Sequence, residues 1–347
     1  MLGSAPLLLA LALGCSTTAP VDNPEVEAPA AQATAEPAEP APKHQALFGA
    51  LPSDMYGEAG AASAERVVLG RMLYHEKRLS INDTQSCNSC HQVDNYGVDN
   101  ESTSPGAKGE RGGRNSPTTY NAAGHLAQFW DGREPDVEAQ AKGPILNPIE
   151  MGMPSAEAVI AKLKGIDGYA DAFVKAFPDA DDPMTYDNLG TAIGAFERTL
   201  VTPGRFDDYM NGKLDALTET ELAGLDHFVE VGCATCHAGP YLGGQMYQKL
   251  GLVEEYPTED KGRAEPTGQE AFTGFFKVPS LRNIEKTGPY LHDGSISDLN
   301  AMIKIMGKHQ LGRELDEENT ASILAFLNSL TGPLPASATE LPALPPS

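Results

Sequence analysis

Two copies of one five-residue string constrain this chain more than anything else in it. Cys87-Asn88-Ser89-Cys90-His91 is the first and Cys233-Ala234-Thr235-Cys236-His237 the second. C-x-x-C-H reads as a covalent c-type haem site: both thiols attach to the porphyrin edge, and the His gives the iron its proximal nitrogen. The rival chemistry for two C-x-x-C pairs is a single zinc site held by all four thiolates. A His directly after the second Cys in both copies favours haem. The expectation is two covalently bound haem c groups, with His91 and His237 as iron ligands.

Five cysteines are present, and four belong to these strings. The fifth, Cys15, ends a short apolar run, Leu7 to Gly14, too short to span a bilayer as a helix. Apolar runs of this length precede small-residue cleavage sites in secretory signals. Ala12-Leu13-Gly14-Cys15 resembles a bacterial lipobox, with Ala12 where Leu is usual. On that reading 1–15 is a lipoprotein-type signal and Cys15 carries a lipid anchor to the outer membrane. The other reading is a plain secretory signal with an incidental Cys. Both export the chain to the periplasm, as bacterial haem c attachment requires. Residues 16–45 are mostly Ala, Pro, Glu and Thr, too poor in large apolar side chains to offset their ordering entropy. They read as an extended spacer, and 333–347 reads as a disordered tail.

Net charge is −23, and the spacer explains little of it. An acidic body excludes nucleic acid as a partner. It suits either steering of a basic redox partner or simple solubility.

Between spacer and tail the pattern is mainly helical, broken by long Gly- and Pro-rich loops. Ala64 to His75 carries apolar residues at helical spacing. Further helices are expected at 154–164, 169–177, 186–200, from Thr218 to Val231, from Ser297, and at 316–330. Thr218 and Glu221 form a capping box. The best strand signal is Phe275 to Val278. The 97–124 stretch is a long loop, and such loops inside domains are usually functional. A helix leading into C-x-x-C-H, then a Met and a final helix, is the cytochrome c plan, and it occurs twice. The fold class is therefore mainly α, two cytochrome c-like haem domains in tandem with long loops. One runs over 46–202 and the other over 203–332, with the break at Thr202-Pro203-Gly204.

The sixth iron position decides each haem's role. A sulfur ligand suits electron transfer, whereas an open position admits a small ligand. Met302 and Met306 follow His237 by 65 and 69 residues, four apart on one helix face. One ligating and one packing is the sharper reading; both packing in a core is the other.

Longer strings carry a resemblance. Gly97-Val98-Asp99-Asn100, Arg114-Asn115-Ser116-Pro117-Thr118 and Gln128-Phe129-Trp130-Asp131-Gly132-Arg133 come first. Glu138-Ala139-Gln140-Ala141 and Asn147-Pro148-Ile149-Glu150-Met151 follow, then Gly288-Pro289-Tyr290-Leu291-His292-Asp293-Gly294. Over roughly 65–330 the chain resembles the bacterial dihaem cytochrome c peroxidases. The resemblance implies reduction of H2O2 to water with electrons from a small periplasmic redox protein, a cytochrome c or a cupredoxin, and allows a homodimer. It makes Glu150 the distal catalytic carboxylate over the first haem, otherwise a solvated loop acid. Gln140 becomes the amide that orients peroxide, otherwise a surface glutamine. Trp130 becomes the aromatic between the haems, otherwise a core Trp. Met306 becomes the axial ligand of the second haem, with Met302 packing. Asn115, Thr287 and Pro289 become ligands of a Ca2+, with no acidic ligand implied. Many of these peroxidases carry a His in the loop after Gly-Val-Asp-Asn, which caps the first haem at rest. Here Ala107 stands at that place, and Lys108 and His125 are the nearby side chains that could substitute. The loop is similar to that of the MauG enzymes, which mature methylamine dehydrogenase; those place a Tyr where Met306 stands. The alternatives are thus a MauG-like oxidase of a protein side chain and a non-enzymatic dihaem electron carrier.

Overall fold

The computed structural model describes residues 41–57 and 60–346. The signal, Cys15 and most of the spacer lie outside the described residues. Helices dominate: α1 Ala64–His75, α2 Cys87–Cys90, α3 Val137–Gln140, α4 Gly143–Leu146, α5 Ala156–Lys164, α6 Tyr169–Ala176 and α7 Tyr186–Glu197. Then come α8 Arg205–Met210, α9 Glu219–Glu230, α10 Ala264–Thr267, α11 Leu299–Leu311, α12 Glu317–Asn328 and α13 Ala336–Thr339. Among the described residues the sheet is one two-stranded pair, β1 Tyr247–Lys249 antiparallel to β2 Phe275–Lys277. None of these helices is long and apolar enough to cross a membrane.

Local chemistry sets the long helices. Ser63, Thr185, Asp298 and Asp316 each accept a backbone N–H in the first turn of α1, α7, α11 and α12, satisfying donors that a helix start leaves free. Thr218 and Glu221 cap α9 reciprocally, as their spacing predicts. Gly312, left-handed at φ +63°, ends α11.

Two apolar cores result. The first gathers Leu73, Tyr120, Ile145, Phe173 and Phe196; the second gathers Phe206, Leu225, Phe228, Ile303 and Phe326. The same helix crossing builds both. In the first, a Cβ on Gly70 of α1 would lie 1.8 Å from Ala192 O of α7, with Phe196 behind it. In the second, a Cβ on Gly224 of α9 would lie 1.9 Å from Ser322 O of α12, with Phe326 behind it. Only glycine lets each pair of backbones approach so closely. Gly224→Val is expected to destabilise the chain by about 1–3 kcal/mol or more through overpacking, read as a lower guanidinium midpoint at unchanged slope.

A second duplicated device joins the halves. Asn121 and Asn283, both left-handed at φ near 60°, donate through Nδ2 to one acceptor, Thr202 Oγ1, at 2.9 and 2.8 Å. Their own Oδ1 atoms accept from Thr202 N and Gly332 N. Asn121, Thr202 and Asn283 are wholly buried. The expected break at Thr202 is therefore a sealed polar seam, and the described residues hold together as one compact unit.

The chain ends depart from expectation. Phe48, assigned to the first half, packs in the second core against Phe206 and Phe228. Lys43 and His44, assigned to the spacer, pair with Asp226 of α9. The tail is corrected too: 333–346 crosses back to the first half. Ala338 is buried in the first core, Ser337 O accepts from Arg71, and Pro345 O accepts from Arg78. Its prolines fit an extended strap, and the arginines satisfy carbonyls that an unpaired strap would leave open.

Candidate haem sites

The first site forms where α2 delivers His91. Ser86 N donates to Ser89 Oγ at the start of α2, and His91 N donates to Cys87 O at 2.9 Å. That single helical turn puts both thiols and the imidazole on one short arc. Tyr74 of α1 donates to His91 O at 2.7 Å. His91 Nδ1 is buried without a hydrogen-bond partner, and burial lowers its pKa, which keeps the ring neutral and fit to ligate a metal. The 97–124 loop wraps this arc, held by Ser104 on Ser116 and Thr118 on Tyr96 O.

Glu150 stands over the same site. Its negative charge reaches both Cys87 and Cys90. Burial pushes its pKa up, opposed by Arg133 and by a hydrogen bond from Asn147. Asn147 fixes the carboxyl: Nδ2 donates to Glu150 Oε1 at 3.0 Å, while its backbone O accepts from Glu150 N and Gly152 N. Gln140 ends α3 half-buried on the same 137–151 segment, which Val137, Ala141, Ile145 and Met151 anchor in the core. The Arg133 guanidinium lies 3.4 Å over the Phe129 ring. Asn147 and Arg133 stand in the sequence strings that carry the resemblance but received no role there; an Asn three residues before an acid in a Pro-containing turn is the one local sign of Asn147.

Ala107 sits on this segment. Its N–H donates to Glu150 O at 2.7 Å and its O accepts from Asn82 Nδ2 at 2.6 Å. A Cβ on the preceding Gly106 would come within 1.8 Å of Ile149 O. The loop tip is thus buttoned onto the strand of chain that carries Glu150. Neither side chain named as a substitute cap fits: Lys108 is exposed, and His125 lies in the wall of the second site.

The second site surrounds a cavity of about 250 Å³. Gly232, left-handed at φ +105°, turns α9 into Cys233–Thr235, and His237 N donates to Cys233 O at 3.0 Å. His237 Nδ1 bonds Leu242 O at 3.1 Å, which leaves Nε2 for a metal. Burial lowers its pKa to about 4, so the ring is neutral. Cys233, Cys236, His237, Met302 and Met306 all line the cavity. So do Trp130, Asn115, Thr287 and Pro289. Trp130 Nε1 donates to Asn115 O at 2.9 Å, and Trp130 O accepts from Lys277 N at 2.8 Å. Asn115 Nδ2 donates to Glu101 O and Ser102 O, leaving its Oδ1 free to meet a cation.

Both sites fit a haem better than a zinc. The two strings belong to different cores. Among the described residues no group of three or more His, Cys, Asp or Glu could hold a metal ion. Burial pushes the Cys90 thiol up to about 11 and Cys233 up to about 12, with Cys87 higher still. These thiols are neutral in the folded chain. A mostly apolar cavity with a neutral imidazole and two thioethers suits a porphyrin.

Comparison with known proteins agrees. Residues 64–215 match the family model described as di-haem cytochrome c peroxidase. The cytochrome c551 peroxidase of Nitrosomonas europaea is 45% identical over 82% of this chain and 85% of its own length. That of Pseudomonas aeruginosa is 42% identical over 87% and 88%. A solved MauG-like protein associated with microbial copper homeostasis superposes with a TM-score of 0.76 at 29% identity, covering 84% of this chain and 97% of that one.

Proposed function

This chain belongs to the di-haem cytochrome c peroxidase family, and from that premise we propose that it reduces hydrogen peroxide: H2O2 + 2 e− + 2 H+ → 2 H2O. The observation that carries the proposal is Glu150, a carboxyl with its pKa raised by burial, held by Asn147 beside Cys87 and Cys90. Cys87, Cys90 and His91 would hold one haem covalently, and Cys233, Cys236, His237 and Met306 the other. The two groups supply peroxide binding and electron storage. Glu150 takes a proton from the near peroxide oxygen and returns it to the departing one; a raised pKa lets it do both near neutrality. Gln140 orients peroxide through its amide. Trp130 lies on the electron path from the second site, where Met306 ligation favours electron transfer.

Around this core stand further proposals. The donor is a small periplasmic cytochrome c or cupredoxin, and the chain is exported and lipid-anchored through Cys15. Asn115 Oδ1 and the carbonyls of Thr287 and Pro289 would bind Ca2+, the hard oxygen donors such a cation takes, with water completing the shell. Because Ala107 cannot ligate iron, Lys108 is exposed and His125 lies in the second cavity, the first haem would be open at rest.

The test is steady-state peroxide turnover with reduced cytochrome c, beside a pyridine haemochrome count and EPR of the oxidised protein. Two covalent haems, one high-spin signal and peroxide reaction without prior reduction are expected. Two low-spin signals with no turnover would leave a non-enzymatic electron carrier.

A further inference from the structure

Lys277 is the one Lys, Arg, Asp or Glu among the residues lining the second cavity. It sits on β2, opposite Tyr247 of β1, and is 8% exposed. Its Nζ has one partner, His125 Nδ1 at 3.1 Å. That imidazole is neutral, because burial, reinforced by the Lys277 charge, holds its pKa well below the ordinary range. Its other nitrogen, Nε2, is buried with no partner at all. An ammonium and a partnerless ring nitrogen thus share an apolar wall with no carboxylate to answer them. Isolated buried charge of this kind is costly. Burial alone lowers the Lys277 pKa to about 8.

The surroundings hold the pair in place. Lys277 N donates to Trp130 O, Leu126 N to Gly244 O, and Gly244 N to Val278 O, each at 2.8 Å. Gly244 is left-handed, and a Cβ there would stand 2.3 Å from His125 Cδ2. Glycine at 244 is what leaves room for the imidazole. Tyr241 closes the far side, edge-on to the ring at 5.7 Å.

We propose that Lys277 and His125 form a carboxylate clamp that binds a propionate of the second haem. The inference rests on the reading that a haem occupies this cavity, and it names the one feature of that ligand able to match the wall. A haem is an apolar macrocycle with two carboxylates. In this cavity only the Lys277–His125 wall offers a carboxylate a full positive charge. The contact is charge-assisted and short, about 2.7–2.9 Å for N+–H···O−. It gives the haem a fixed rotation about the His237–iron axis. It also offsets the negative charge of the propionate, which would otherwise disfavour the reduced state.

The experiment uses the haem-loaded full chain. A crystal structure should show a propionate oxygen within hydrogen-bond distance of Lys277 Nζ; both propionates directed elsewhere would overturn the clamp. Lys277→Met should keep both haems and lower the potential of the second by about 59 mV, a tenfold change for one electron. Lys277→Arg should restore it, because charge rather than packing sets the effect. An unchanged potential in Lys277→Met, or an equal drop in both variants, would also overturn the clamp. If Lys277→Met fails to fold, the Arg variant and the wild-type crystal structure still decide. The haemochrome count separates the two levels: no haem on Cys233 and Cys236 sinks the family reading and the clamp with it, whereas two haems with a free Lys277 sink the clamp alone.

Discussion

Glu150→Gln is expected to keep both haems, the fold and the optical spectrum while losing about 10²–10⁴-fold in peroxide turnover, the usual contribution of a general acid–base group. Gln matches the shape of Glu and can still accept from Asn147 Nδ2, which now holds Glu150 Oε1 at 3.0 Å. The one thing lost is the transferable proton. The pH profile gives a second readout. Burial raises the Glu150 pKa, against Arg133 and Asn147, so the wild-type rate should fall on the acid side at a pH above that of an ordinary carboxyl. The variant should lose that limb. Turnover within about threefold of wild type, far short of that usual contribution, would show that another group moves the proton.

Glu197→Gln should have the largest effect on stability. Glu197 ends α7, is 4% exposed, and burial raises its pKa from 4.5 to about 8, with Glu138 adding and Arg198 opposing. Its folded-state pKa lies above its unfolded one. The stability it lends is therefore complete below pH 4.5 and is lost as pH rises through 8. Across that window wild type should lose on the order of 5 kcal/mol relative to the Gln variant, which keeps the neutral shape at every pH. Guanidinium unfolding of both proteins at about pH 5 and about pH 8 measures this. Equal differences at the two pH values would mean that Glu197 ionises without penalty.

How much was legible beforehand differs between elements. The helices were, because Ser63, Thr218, Asp298 and Asp316 are caps followed by apolar residues at helical spacing, and that signal is local. The short helices α3, α4, α8, α10 and α13 and strand β1 were missed, since so few residues carry too little periodicity to register. The two C-x-x-C-H strings were legible because their spacing is itself the signal. Glu150 and Gln140 were named through resemblance alone, because a carboxyl in a loop looks the same in sequence whether buried or solvated.

By itself the sequence determined two C-x-x-C-H strings, a mainly helical chain and an acidic body, since each rests on residue type and near-neighbour spacing. Only the tertiary structure decided that Gly70 and Gly224 are the contact points of two equivalent helix crossings, because their partners, Ala192 and Ser322, are remote in the chain. It alone decided that Thr202 is wholly buried between Asn121 and Asn283, and that the proline-rich tail is a strap on the first core. It alone turned His125 from a candidate cap for the first iron into half of a pair with Lys277 in the second cavity. Burial and charge environment belong to the folded chain, and no local pattern encodes which distant groups will shut a side chain away from water.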